Sequence, residues 1–192
     1  MNKSHKTSGI LKIIDLSYIY DLIQFIAGSP RGSKKFLEPV FEFSKNNKNV
    51  RILDIGCGTG RIVKYLPSNV NYVGWDFNSN YIIKAQNLFG KKNIDFICLD
   101  INNSSPKSNN KYDFVFLGGV LHHLDDISAK KIFQTVIDNL DTNGTLLTVD
   151  PTFVTNQNLI AKFIISQDRG KSVRTSKEMR NIQKEYFRSI EH

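Results

Sequence analysis

At 192 residues, 40% hydrophobic and 23% charged, the chain can bury one real core and is too short for two comfortable ones. Its net charge of +8 sits at the ends: residues 1–48 and 162–192 each carry eight Lys/Arg against four Asp/Glu, and the middle carries ten of each. Basic flanks can attract nucleic acid or another anionic partner, but no Lys/Arg block is dense enough to prefer that over a solvated surface. Two cysteines, Cys57 and Cys98, rule out a disulfide framework, and neither belongs to a C-x-x-C metal pair. The Ile/Leu-rich run after the basic N-terminus is broken by Lys12, Asp15 and Asp21, the wrong build for a signal peptide or membrane span, so a cytoplasmic location is expected.

Apolar residues from Ile13 to Ile26 recur at mixed three- and four-residue spacing, which predicts an amphipathic helix over Ile10–Ala27. Gly28 to Gly32 ends it. A second helix is expected from Ser33 to about Ser44, broken or kinked at Pro39 unless it starts there. Next comes VRILDIGCGTGR, Val50 to Arg61: an apolar run, three glycines at alternate positions, then an apolar-periodic segment stopped by Pro67. This reads as strand, glycine loop, helix. Glycine permits the sharp turn and the close approach of a ligand to main-chain N–H groups.

Asn71–Trp75 predicts a strand ending at Asp76, followed by a helix over Ser79–Phe89 with Gly90 as its C′ residue. Ile94–Leu99 is a third strand ending at Asp100, and Asn102–Lys111 reads as a loop. Tyr112–Leu117 is a fourth strand, followed by Gly118-Gly119 and by the pair His122-His123. Ser128–Leu140 predicts a helix, Asn143-Gly144 a turn and Thr145–Val149 a fifth strand ending at Asp150. Alternating strands and helices, with apolar strands that lack strict two-residue alternation, predict a parallel sheet covered on both faces. Right-handed crossovers make it doubly wound.

The glycine spacing fails the dinucleotide fingerprint G-x-G-x-x-G, whose third glycine would fall on Arg61. D-x-G-x-G-x-G, with Asp54 as the acid, resembles motif I of the class I S-adenosylmethionine-dependent methyltransferases. The resemblance covers residues 49–150 and implies a Rossmann-like sheet in order 3-2-1-4-5, binding S-adenosylmethionine and releasing S-adenosylhomocysteine. The glycines Gly56, Gly58 and Gly60 would form the loop, with Asp54 ordering the ammonium end. Asp76 would accept from the ribose hydroxyls, Asp100 would hold the adenine amine, and Phe77 and Ile101 would sandwich the ring. Leu117 and Gly118 stand where the family often places backbone contacts to the methionine end. This ligand presents donors and no phosphate, so an acidic rim suits it.

His122 and His123 are the candidates for a base, since methyl transfer to a hydroxyl needs alignment and removal of a proton. On a helix they would point about 100° apart, so one at most is expected to face the pocket. No metal site is expected from them. The chain lacks the N-P-P-Y or D-P-P-Y run of many amino-directed nucleic-acid methyltransferases, having LGGV instead, so a small-molecule O or N acceptor is the leading expectation. RNA or protein acceptors, an NAD-dependent enzyme and a non-catalytic cofactor-binding protein are the alternatives.

One domain is expected: a helical cap over residues 1–48, a cofactor-binding core over 49–150 and a helical tail over 151–192. In the resembled family such a cap lies over the pockets, where Tyr18, Tyr20, Gln24 and Arg31 could face inward. In the tail, Asn156–Asp168 reads as a helix, and Thr175-Ser-Lys-Glu178 reads as a capping box for a helix reaching Phe187. Arg169, Lys171 and Arg174 could meet an anionic acceptor or face solvent. No apolar strand pair follows Asp150, so the family's terminal antiparallel hairpin is expected to be missing, with the fifth strand left as an edge and the chain end truncated.

Overall fold

The computed structural model of the chain describes residues 30–101, 111–152 and 172–191. The predicted helices over Ile10–Ala27 and Asn156–Asp168, most of the 102–111 loop, and Tyr18, Tyr20, Gln24, Arg169, Lys171 and the Arg31 side chain lie outside the described part.

Five strands form one sheet in the order β3-β2-β1-β4-β5: β1 (Val50–Ile55), β2 (Val70–Asp76), β3 (Ile94–Cys98), β4 (Tyr112–Gly118) and β5 (Leu140–Val149). Every pairing between them is parallel, as the near-continuous apolar runs predict. β1 lies at the centre, between β2 and β4, and the chain reverses its direction of winding there. The crevice beyond the carboxyl ends of these strands is where such sheets bind ligands.

Alternate side chains of β1 feed two cores. Val50 and Ile52 pack with Leu37 and Val40 of α1 (Pro30–Asn46) and with Ile82 and Ala85 of α2 (Ser79–Phe89). Leu53 and Ile55 pack on the other face with Ile132, Phe133 and Val136 of α3 (Asp126–Asn139) and Ile182 of α4 (Ser176–Lys184). No helix among the described residues is long and apolar enough to cross a membrane.

Several local expectations are corrected. Pro39 sits inside one continuous α1. Both Pro39 and Lys35, whose carbonyl the ring frees, are exposed, while Leu37 and Val40 anchor the opposite side. The segment after the glycine loop is a five-residue 3-10 turn, Arg61–Tyr65, rather than an α-helix, because Leu66 is already extended ahead of Pro67. Gly90 ends α2 at φ −58°, so it is not the left-handed C′ glycine expected. Asn143-Gly144 is no separate turn: β5 starts at Leu140 directly after α3 and absorbs both residues in a register shift opposite Tyr112–Phe114.

The Thr175/Glu178 capping box forms as predicted, but α4 stops at Lys184. Tyr186 and Phe187 then fold onto Phe133 at ring separations of 5.6 and 5.7 Å. This part of the tail covers α3, and among the described residues β5 pairs only with β4.

Phe133 is fully buried where α3, α4 and the sheet meet. Phe133→Ala should cost about 3–5 kcal/mol in urea unfolding, the usual loss for a large core aromatic. A loss below about 1 kcal/mol would detach the α4 layer from the core.

Candidate cofactor and acceptor site

The glycine loop is fastened to the end of β2. Gly56 and Cys57 both donate their N–H to the Trp75 carbonyl, at 2.7 and 3.0 Å, and Gly60 N–H closes back on the Cys57 carbonyl at 3.0 Å. Two of the glycines are required by packing. A Cβ on Gly60 would lie 2.7 Å from the Phe96 ring, and one on Gly56 would overlap Val120 of the loop after β4. Gly58 differs: its φ is +54°, and among the described residues no atom beyond its chain neighbours lies within 4 Å of where its Cβ would be. The loop is therefore closed on both flanks and open at its middle.

Asp76 is buried and already engaged by the loop. Its Oδ2 accepts the Gly58 N–H at 2.9 Å and its Oδ1 accepts the Asn78 N–H at 2.8 Å. The expectation that loop N–H groups face a ligand is corrected for Gly58, whose donor is held by Asp76. A carboxylate has about four acceptor sites, so Asp76 keeps capacity for two hydroxyls. Phe77 follows with 76% of its surface exposed, the most exposed aromatic ring beside the loop. Asp100 and Ile101 lie past the end of β3, which stops at Cys98, and both are half-buried. Ile101 packs against the α3-side core. Leu117 is fully buried, so only its main chain is available to a ligand, whereas Gly118 is exposed at the last position of β4.

Asp54 lies within β1, short of the strand end, with its side chain 6% exposed. Tyr72 Oη donates to its Oδ2 at 2.7 Å. Burial raises its pKa to about 7, with the Tyr72 hydrogen bond opposing and the charge of Asp76 adding to the rise. The Cys57 thiol is also pushed well above its usual range, by burial first and then by Asp54 and Asp76, so it stays protonated and is no nucleophile.

The candidate acceptor side is the loop after β4. Leu121–His123 forms a 3-10 turn with His122 buried and His123 exposed, yet the two rings lie against each other, their centroids 3.9 Å apart. The expected divergence of the two side chains is corrected in that respect. The His122 Nδ1 meets Asp150 Oδ1 at 2.8 Å, and the His122 main-chain N–H donates to the same oxygen at 3.2 Å. A carboxylate can only accept, so the proton of a neutral His122 sits on Nδ1 and Nε2 carries the lone pair. Asp150 Oδ2 is buried with no hydrogen-bond partner among the described residues.

Sequence reasoning placed Asp150 on the acidic rim and missed its pairing with His122. The adjacency of β4 and β5 in the predicted order was the signal that could have found it. Arg174 is corrected as well. It is 8% exposed, neither solvent-facing nor free for an anion, and its guanidinium binds the carbonyls of Leu121, Leu124 and Ser172 and the carboxylate of Asp126.

Comparison with known proteins agrees with this geometry. Residues 52–144 match the family described as "Methyltransferase domain". The chain is 31% identical over 126 residues to N-terminal Xaa-Pro-Lys N-methyltransferase 1-A of Xenopus laevis, covering 62% of this chain and 56% of that protein. It is 30% identical over 98 residues to a malonyl-[acyl-carrier protein] O-methyltransferase of Acetivibrio thermocellus, covering 50% of this chain and 33% of that one. The chain thus spans about half the length, or less, of these curated relatives.

Among solved structures, phosphoethanolamine N-methyltransferase 2 of Haemonchus contortus, in complex with S-adenosyl-L-methionine, superposes with a TM-score of 0.66 at 20% identity, over 90% of this chain and 41% of that one. A plantazolicin methyltransferase in complex with SAH gives a TM-score of 0.59 at 18% identity, over 90% and 76%. Identities this low speak for the fold alone. Strand order, the D-x-G-x-G-x-G loop closed by Asp76, and the matched segment agree: the fold is that of the class I S-adenosylmethionine-dependent methyltransferases, and residues 52–144 match the methyltransferase-domain family.

Proposed function

We propose that the protein binds S-adenosylmethionine across the carboxyl ends of β1 to β3 and transfers its methyl group to an O or N atom of a small-molecule acceptor. The observation that carries this reading is the open middle of the glycine loop at Gly58, bordered by the Asp76 carboxylate and the exposed Phe77 ring. These residues fit the group: an acceptor for vicinal hydroxyls, an apolar face for adenine, and a backbone without a Cβ at the point of closest approach. The bound cofactor supplies an electrophilic sulfonium methyl. The chain holds the cofactor through Asp76, Phe77, Asp100 and Ile101, and offers Asp54 to the ammonium end.

His122, fixed by Asp150, serves as base for the acceptor, and the exposed His123 lines its approach. Val120 packs on Gly56, so the acceptor loop and the glycine loop are in contact. A protein acceptor is the second reading, favoured by the N-terminal Xaa-Pro-Lys relatives in Xenopus. Nucleic acid ranks behind both, because the basic excess lies in the flanks and not around the site.

Calorimetry should show binding of S-adenosylmethionine and S-adenosylhomocysteine but not of NAD. Asp76→Ala should weaken binding by about 1–3 kcal/mol, the cost of hydroxyls left without their charged acceptor. NAD binding alone would overturn the reading, and unchanged affinity would remove Asp76 from the site.

Asp54 adds a pH dependence. Its folded pKa of about 7 lies above the ordinary 3.8, so between those values the folded protein holds a proton that the unfolded chain has released. Stability of the free protein should therefore fall as pH rises through this window and level off above it. An ammonium placed beside Asp54 favours the carboxylate, so cofactor affinity should rise roughly tenfold from about pH 5.5 to about pH 7.5. Asp54→Asn should flatten that rise; a slope equal to the wild type's would exclude Asp54 as the titrating group.

His122→Asn keeps a donor for Asp150 but removes Nε2. Turnover of a methylated acceptor should drop roughly 10²-fold or more with cofactor affinity unchanged. A loss below about threefold would assign His122 to packing alone.

A further inference from the structure

The ladder between β4 and β5 ends at Gly118 opposite Val149, with one more bond from Gly119 N–H to the Val149 carbonyl at 2.8 Å. His122 and Asp150 lie beyond it, on two chain segments that must keep their relative position for a 2.8 Å contact to survive. Four bonds tie the C-terminal segment to both, three to the histidine turn and one to the Asp150 side. Ser172 N–H donates to the His122 carbonyl at 3.1 Å. Arg174 donates from Nη1 to the Leu121 carbonyl at 2.9 Å and from Nη2 to the Leu124 carbonyl at 2.7 Å, on either side of the two histidines. On the Asp150 side, Thr152 Oγ1 donates to the Arg174 main-chain carbonyl at 2.9 Å.

A guanidinium is suited to this, because its planar fork presents five donors in fixed directions and can satisfy two diverging carbonyls at once. Its carboxylate partner among the described residues, Asp126, is 72% exposed on its side chain, so that ion pair is worth little. Arg174 itself is 8% exposed, and burying its charge for packing alone would be a poor exchange against an apolar residue. The directional bonds to the turn are what its burial accomplishes.

We propose that Arg174 is a positioning residue: it latches the C-terminal segment onto the turn Leu121–Leu124 and thereby holds His122 in register with Asp150. Its catalytic consequence rests on the reading of His122 as the base, but the latch is measurable without any acceptor. In the whole chain, side-chain ¹⁵N spectra should show a single Nδ1–H tautomer for His122. In Arg174→Ala that tautomer should give way to a mixture, and the His123 and Leu124 amides should exchange at least roughly tenfold faster, as expected for losing bonds to a charged donor. Amides of β1 should be unchanged. Millimolar guanidinium should restore both signals in Arg174→Ala, and Arg174→Lys, a single donor point, should recover only part.

A folded Arg174→Ala that keeps the single tautomer and the wild-type exchange rates overturns the proposal, as does an altered variant that guanidinium fails to restore. If Arg174→Ala does not fold, the wild type decides: amides of His122, His123, Leu124 and Ser172 should exchange at one common rate, and rates differing by more than about tenfold would mean no cooperative latch. Failure of cofactor binding would be seen by calorimetry and leaves these signals untouched, so the two readings fail separately.

Discussion

The carboxylate of Asp76, accepting the Gly58 N–H at 2.9 Å while it also holds Asn78, is the interaction on which the cofactor side depends. It joins the end of β2 to the middle of the loop after β1, and the Trp75 carbonyl beside it anchors the start of that loop through two more N–H groups. A charged acceptor on backbone donors is a strong bond, and it is partly buried here. The loop shape is thus determined by the neighbouring strand, and its glycines let the chain comply. The open space over Gly58 follows from this arrangement.

Burial around that bond sets the electrostatics. Asp54, Cys57 and Tyr72 crowd on the α1 side of β1 and β2, where, among the described residues, no basic side chain contacts the Asp54 carboxylate. Low solvation disfavours each charged form, so the thiol stays protonated, Tyr72 is held neutral and acts as donor, and Asp54 alone titrates near neutrality. The one charge poised to appear there is negative. A cationic ligand end is the complement such a pocket stabilises.

The loop after β4 is organised differently, by contacts between segments far apart in the chain. His122 meets Asp150 across the β4 and β5 ends, and Arg174 binds the turn from the tail. The helices α3 and α4 and the residues just after α4 pack under this region through Phe133, Ile182, Tyr186 and Phe187. One layer therefore supports both the core and the loop that carries the histidines.

The strands, the glycine loop and the acids at the ends of β2 and β3 were legible in the sequence, because apolar runs, glycine spacing and cap signals are local and act over a few residues, whereas the strand order came with the family resemblance those residues carry. The capping box at Thr175 was read for the same reason. The length of the turn after Gly60, the entry of β5 at Leu140 and the continuity of α1 through Pro39 were not. Each depends on which side of the element faces water or a neighbouring strand. Gly58 and Gly60 look alike in the sequence, but the Phe96 ring stands against Gly60 and no described residue stands against Gly58. Arg174 and Asp150 carry formal charges that suggest ligand contacts on paper. Only the folded chain, by burying both side chains and aiming them at the same turn, gave them partners within the protein, since a charge removed from water must take whatever partners the packing brings within reach.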